Sequence, residues 1–249
     1  MRNPDRIVGH RVRRTNDGVG TDPGALRELA EDAAVRLEQA SATEVIGWAG
    51  HTFGERLVVT SSMADGLLTH LAASVLPGIE VLFLDTGYHF PETIGTRDAV
   101  AATTGVRVRS VRPALTVAEQ DDAYGANLFA SDPDACCRMR KVEPLARALT
   151  GYDAWISGVR REETPDREHT PVVAFDAASS KVKVHPIVRW TQAEVDEYVA
   201  RNAVLVNPLV SAGYLSIGCA PCTRAVRPGE DARAGRWAGQ EKTECGLHT

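Results

Sequence analysis

The chain has 249 residues, of which 43 % are hydrophobic and 24 % charged, an ordinary globular composition with room for one sizeable α/β domain or two small ones. Its formal net charge of −5 argues against bulk binding to nucleic acid or to an acidic membrane surface, so any anion it recognises must be met by a local basic cluster. No run approaches the roughly 20 apolar residues of a membrane span, and the expected compartment is the cytoplasm.

Residues 1–21 are Arg-rich and lack an apolar core segment, which is not the pattern of a secretory signal; a disordered leader is expected there. Asp22-Pro23 reads as a capped helix start, with Leu26, Leu29, Ala33 and Leu37 on one face and an expected end near Ala42. Leu57–Thr60 is a short buried-type strand, followed by Ser61-Ser62-Met63-Ala64-Asp65 and an apolar helix from Gly66 to Leu76. A second strand, Glu80–Leu84, ends in Asp85-Thr86-Gly87. Pro91 opens a helix to about Thr103, and Val106–Val111 is a third strand. Asp134–Ala146 reads as helix from the spacing of Met139, Val142, Leu145 and Ala146, with Pro144 as the one local objection. Ala154–Ser157 is a strand leading into Gly158, and a strongly charged loop follows from Arg160 to Glu168. Val182–Val184 is the next strand, Thr191-Gln-Ala-Glu194 is a capping box for a further helix, and Asn207-Pro208-Leu209 closes that unit.

Strands alternating with helices predict an α/β fold, a doubly wound, mostly parallel sheet with helices on both faces. Residues 22–224 are expected to form a single domain. Residues 225–249 are polar, Gly-bearing and weakly patterned, and are expected to form a mobile tail. Ligands of such sheets lie beyond the carboxyl ends of the strands, here Ser61-Ser62, Asp85-Thr86-Gly87 and Gly158.

Four short constellations carry chemistry. The Ser61–Asp65 loop could face a phosphate with backbone N–H groups and a helix N-terminus, although serine-bearing strand-to-helix loops are common. Leu84–Thr93 reads most simply as a capped turn before a helix. The five cysteines stand at 136, 137, 219, 222 and 245. An odd number in a chain of this character speaks against a disulfide framework and for a four-thiolate metal site plus one reactive thiol. Cys219-x-x-Cys222 with Cys136-Cys137 suits tetrahedral thiolate ligation, and structural zinc is one candidate. Adjacent helical side chains diverge by roughly 100°, which is awkward for one ion; a cubane can accept such sulfurs on different irons. Lys141, four residues after Cys137, shares its helix face. Cys245 stands alone near the terminus, either an incidental cysteine or an accessible thiol tunable toward thiolate.

Taken in order, Cys-Cys-x-x-Arg-Lys-Val-Glu-Pro-Leu (136–145), Leu-Asp-Thr-Gly (84–87), Ser-Ile-Gly-Cys-x-Pro-Cys-Thr (216–223), Arg-Ala-Gly-Arg-Trp (233–237) and Glu-Cys-Gly-Leu-His (244–248) resemble the bacterial assimilatory adenylyl-sulfate (APS) reductases of the iron–sulfur type. The resemblance spans about residues 25 to 248. It implies an adenine nucleotide α-hydrolase-like fold whose loop, Ser61–Asp65, lacks the Gly-Gly of the pyrophosphatase signature. It further implies that Cys136, Cys137, Cys219 and Cys222 ligate a 4Fe–4S cluster and that Cys245 is the nucleophile. Lys141, Arg233, Arg236 and His248 would meet the phosphosulfate, Ser61 and Ser62 the phosphate and ribose end, and Leu84 and Gly158 the adenosine; Arg167 would also contact the nucleotide. The implied reaction converts APS to sulfite and AMP with reduced thioredoxin, within sulfate assimilation leading to cysteine.

Three rival readings fit parts of the same pattern. Reduction of the 3′-phosphorylated nucleotide (PAPS), alone or beside APS, needs only one more cation, but the PAPS-only branch generally lacks the two cysteine pairs. A tRNA-thiolating pyrophosphatase would want an intact Ser-Gly-Gly loop and a basic RNA surface. A zinc-stabilised nucleotide-binding module needs no catalytic cysteine.

Overall fold

A computed structural model of the protein describes residues 22–240, 242 and 244–247; the expected leader (1–21) and His248 lie outside them. Helix α1 (Pro23–Leu37) starts where Asp22 Oδ2 accepts the Ala25 N–H at 2.9 Å and buries Leu26, Ala30, Ala33 and Leu37. It ends five residues short of Ala42. A second helix, α2 (Ala42–Phe53), begins there because Ser41 and Glu44 form a reciprocal capping box: Ser41 N–H donates to Glu44 Oε2 at 2.7 Å, and Glu44 N–H to Ser41 Oγ at 3.3 Å. Each such cap satisfies backbone donors that no helical carbonyl can reach.

The sheet has six strands: β1 (Leu57–Thr60), β2 (Glu80–Leu84), β3 (Arg107–Val111), β4 (Ala154–Ile156), β5 (Val173–Asp176) and β6 (Lys181–Val184), in the order β3-β2-β1-β4-β6-β5. All neighbours are parallel except β5, which returns antiparallel beside β6 as an edge strand. The chain runs outward from β1 to β3, then crosses back to β4 on the other side of β1. That reversal is the topological switch point at which open α/β sheets bind ligands. β5 has no counterpart among the expected strands, although Val172, Val173, Ala174 and Phe175 are consecutive apolar residues directly after the charged loop.

The remaining helices are α3 (Leu67–Val75), α4 (Pro91–Thr104), α5 (Val117–Tyr124), α6 (Leu128–Ser131), α7 (Pro133–Cys137), α8 (Glu143–Ala148) and α9 (Gln192–Asn202). Strand pleating sends alternate residues to opposite faces. Val59, Val81 and Phe83 join the core formed with α1–α4 and α9, whereas Val58, Leu82 and Trp155 pack with Leu145 and Leu149 on the other. Among the described residues no helix is long and apolar enough to cross a membrane.

The helix expected over 134–146 is present with one change of pitch. Between α7 and α8, residues Arg138–Val142 form a π-helical turn in which the Glu143 N–H reaches back five residues to the Arg138 carbonyl. A proline has no N–H to donate and its ring crowds the preceding turn; the widened turn accommodates Pro144 without breaking the helix.

The stretch from Ala225, expected as polar and unpacked, docks on the domain over its first half. Arg224 N–H donates to the Gly235 carbonyl at 2.9 Å and Trp237 N–H to the Cys222 carbonyl at 3.0 Å. Trp237 is 3 % exposed. A side chain at Gly235 would collide with the Arg224 backbone, so the close approach requires glycine. The docking depends on this backbone fit and one tryptophan, neither of which gives a periodic apolar pattern.

Candidate active site

The carboxyl ends of β1, β2 and β4 lie side by side at the switch point. After β1, Ser61 N–H donates to the Leu82 carbonyl at 3.1 Å, and Ser61 Oγ accepts the Met63 N–H at 3.3 Å. Met63 is fully buried with φ +58°, a left-handed backbone rare for a long side chain. This buried anchor leaves Ser62 exposed at the mouth. Leu84 ends β2, with its carbonyl 2.7 Å from His89 Nε2. Gly158 follows β4, and a Cβ there would meet only ordinary contacts with Leu68 and Ile187. The protein's own packing does not demand glycine at that position.

Beside Gly158, Ser157 Oγ lies 2.8 Å from His185 Nδ1, at the end of β6. Burial, helped by the Lys183 and Arg167 cations, pushes the His185 pKa down from 6.5 to about 3. The folded protein therefore holds this imidazole neutral, while the unfolded chain takes up a proton below about pH 6.5. The stabilisation is complete above that pH and is lost as pH falls toward 3, with a slope of at most about 1.4 kcal/mol per pH unit. Thermal midpoints of wild type and His185→Gln between pH 7.5 and 5 are expected to show the wild type falling more steeply; parallel lines would contradict a buried neutral imidazole.

A second cluster lies where α7 and the π turn face the Cys219–Cys222 turn. Cys136, Cys137, Cys219 and Cys222 line one pocket, closed by Tyr88, Phe129 and Trp237. All five cysteines are free thiols. Burial pushes Cys136 up to about 12 and Cys222 up to about 11, and the neighbouring sulfurs add to both shifts. Thiols so shielded become thiolates when a metal centre replaces their protons. Four sulfurs round a common pocket are a donor set for a thiolate-ligated metal centre.

Arg140, to which the sequence assigned no task, organises this pocket. It is 3 % exposed, donates from Nε to the Thr86 carbonyl at 2.5 Å and from Nη1 to Gln120 Oε1 at 2.8 Å, and lies over the Tyr88 ring at 5.1 Å. Thr86 Oγ1 in turn lies 3.3 Å from Cys219 Sγ. The Asp-Thr-Gly turn is thus more than a cap: it ties the end of β2 to a cysteine 133 positions away.

The next residue, Lys141, stands between the sulfurs and the tail. Burial disfavours its charge, but Cys219, Cys245 and Cys137 offset this and leave its pKa above the usual value. Arg236 is also shielded, and desolvation with the nearby Arg233 lowers its pKa, against Cys245, Cys219 and Cys222. Its guanidinium lies 4.4 Å from the Trp237 ring centre, over a backbone at Gly218 that admits no Cβ. Arg236 Nε and Arg167 Nε are buried without a hydrogen-bond partner among the described residues. Arg167 and Arg233 both pair with Glu244, at 2.8 and 3.3 Å. The fold therefore brings Lys141, Arg167, Arg233 and Arg236 to the segment that carries Cys245. Of the residues expected at the site, only His248 is outside the described residues.

Residues 56–225 match the family model described as phosphoadenosine phosphosulfate reductase domain. The chain belongs to the phosphoadenosine phosphosulfate reductase family. Within it, the chain is 58 % identical over 223 residues to an adenosine 5′-phosphosulfate reductase of Streptomyces coelicolor, covering 90 % of this chain and 94 % of that protein. It is 56 % identical, with the same coverage, to one of Mycolicibacterium smegmatis, and 51 % identical to one of Mycobacterium tuberculosis over 92 % of this chain and 96 % of that protein. Among solved structures it resembles a phosphoadenylyl-sulfate reductase from Candida auris in a phosphate complex. That likeness has a TM-score of 0.68 at 27 % identity and covers 86 % of this chain and all of the other. The phosphoadenosine phosphosulfate reductase fold also resembles a Candida glabrata FMN adenylyltransferase (TM-score 0.52, 13 % identity, 81 % of this chain and 74 % of that one), a likeness of fold alone.

Proposed function

We propose that the protein is a cytoplasmic, thioredoxin-dependent adenylyl-sulfate reductase that converts APS to sulfite and AMP through an S-sulfocysteine on Cys245. The observation that carries this is the docking of the Cys245 segment on the cations of the site, through the Glu244 pairs with Arg167 and Arg233, with Lys141 and Arg236 close enough for the Cys245 charge to act on both. The names of relatives above 50 % identity support APS over its 3′-phosphorylated counterpart.

The adenosine enters the crevice framed by Leu84 and Gly158, with Ser61 and Ser62 at its phosphate and ribose end. The phosphosulfate meets Lys141, Arg233 and Arg236, with Arg167 and His248 as further contacts. The Cys245 thiolate attacks the sulfate sulfur. A bond from Cys245 Sγ to that sulfur forms, the bridging S–O bond breaks, and its electron pair leaves on the phosphate oxygen of AMP. A thioredoxin thiolate then attacks Cys245 Sγ and sulfite departs with the electron pair of the S–S bond. The second thioredoxin thiol resolves the mixed disulfide, leaving oxidised thioredoxin and a restored Cys245 thiolate.

Nucleophile and sulfate are both anionic, and two unit charges 4 Å apart repel by about 4 kcal/mol at a near-surface dielectric. Lys141 and Arg236 offset that repulsion without reorganising, because burial and packing already hold them. Cys136, Cys137, Cys219 and Cys222 would hold a 4Fe–4S cluster, which when bound supplies the positive metal charge that keeps these thiols ionised next to Lys141. Cys136 and Cys137 are neighbours on α7, and adjacent helical side chains diverge, which suits a cluster with several irons better than one zinc ion; a brown protein with iron and labile sulfide is expected, and a colourless one with a single zinc is the contrary outcome.

The core test is intact-mass spectrometry after APS alone. One added sulfonate on the peptide containing Cys245, removed by reduced thioredoxin, is the expected result. No adduct, or an adduct on another cysteine, would overturn the assignment, and a larger yield with PAPS than with APS would reassign the substrate.

A further inference from the structure

Resting on that function, we infer that Glu244 is the positioning residue for Cys245: its carboxylate, clamped by Arg167 and Arg233, holds the thiol in the closed site. Arg167 Nη2 donates to Glu244 Oε2 at 2.9 Å, and Arg233 Nη2 lies 3.3 Å from the same oxygen. The pairs are well shielded, with side-chain exposures of 11 % for Arg167, 16 % for Arg233 and 14 % for Glu244. Shielded charge pairs hold geometry in a way that solvated ones do not.

The anchor has a firm foundation. Arg167 also pairs with Glu163, whose Oε2 accepts the Arg160 N–H at 3.0 Å. The clamp therefore connects the loop after β4, at the mouth of the crevice, to the residue just before the nucleophile. A second anchor lies just after it. Leu247 packs against the core containing Val58, Leu82 and Trp155, and its carbonyl lies 3.4 Å from Lys183 Nζ, which donates. A Cβ at Gly246 would make an ordinary contact with Val142 at 3.6 Å, so the turn between the anchors lies over the π turn. Cys245 is thus spanned by a polar anchor and an apolar one. The polar anchor is made by two arginines that the nucleotide also needs, which links the occupancy of the crevice to the placement of the thiol.

The test uses the full-length enzyme and two readouts on Cys245. Glu244→Gln keeps the shape and removes the charge; Glu244→Asp keeps the charge and shortens the reach. Without nucleotide, alkylation of Cys245 by iodoacetamide, followed by peptide mass, is expected to be about tenfold faster in Glu244→Gln, and single-turnover sulfonation by APS some 10- to 100-fold slower, the scale set by misplacing a reacting group by about 1 Å. AMP affinity is expected to change by less than about twofold, because the arginines remain, and Glu244→Asp to recover part of the sulfonation rate. Unchanged alkylation and sulfonation in Glu244→Gln would overturn the inference. So would tighter AMP binding with faster sulfonation, which would make the carboxylate a competitor for the arginines. If wild-type Cys245 acquires no sulfonate at all, the proposed function fails instead, and the alkylation rates still decide the clamp.

Discussion

Cys245→Ser is expected to abolish sulfite release while leaving AMP affinity within about twofold of wild type, the loss in turnover being roughly 10⁴- to 10⁶-fold, the scale on which nucleophile removal acts in covalent catalysis. The asymmetry follows from where the thiol sits. Lys141, Arg236 and Arg167 come from the π turn, the docked half of the tail and the loop after β4, and are held there by contacts that do not involve Cys245 Sγ. Serine conserves the volume and removes the polarisable, ionisable sulfur. The measurements are steady-state sulfite production with thioredoxin in excess and AMP binding by calorimetry. Residual turnover within tenfold of wild type would give the chemistry to another group, and loss of AMP binding would make Cys245 a structural residue.

Lys141→Ala is the second large effect expected. Its side chain lines the four-cysteine pocket, and the charges of Cys219, Cys245 and Cys137 favour its ammonium form against desolvation. On the proposed function, removing it takes away a charge-assisted contact to the sulfate but none to the adenosine or ribose. APS affinity is therefore expected to fall by roughly 10- to 100-fold more than AMP affinity, the range of a hydrogen bond to a charged group. The kcat/KM for APS is expected to fall by about 10²- to 10³-fold, as when a preorganised donor to developing charge is lost. Competition binding with APS and AMP on the same preparation makes the comparison. Equal weakening of both would place Lys141 away from the sulfate. An accompanying loss of iron would show that the lysine also supports the cysteine pocket.

These two residues also illustrate how far a charge reading of the chain reaches. A protein with an overall charge of −5 recognises an anion only where cations are concentrated. Here four of them, from three separate parts of the chain, meet the segment that carries Cys245: Arg167 and Arg233 through Glu244, Lys141 and Arg236 through the charge of the thiol itself. Two carry guanidinium nitrogens with no partner among the described residues, and buried donors in that state are costly unless a ligand completes them.

Much of the fold is legible in local sequence, because its causes are local. Asp22-Pro23 and Thr191-x-x-Glu194 cap helices with side chains three residues away, and β1 and β2 are mainly apolar runs. Ser41-x-x-Glu44 carries the same signal, and there the structure differs from the expectation: the first helix, expected to run to about Ala42, stops at Leu37, and α2 begins at the capping box. The two cysteine pairs, the single cysteine and the Lys141 spacing are likewise visible in the sequence alone. What it could not show is convergence. That Arg140 reaches the Thr86 carbonyl and Gln120, that Trp237 seals the cysteine pocket, and that Arg167 and Arg233 close on Glu244 are contacts between separate segments, 54 positions apart for Arg140 and Thr86 and 77 for Arg167 and Glu244. They arise only when the crossover to β4 brings the ends of β1, β2 and β4 together and the Gly235 backbone fits against Arg224. Periodicity and capping record the free energy of one element against water; which buried charges face each other depends on how whole elements pack, and no single segment carries that information.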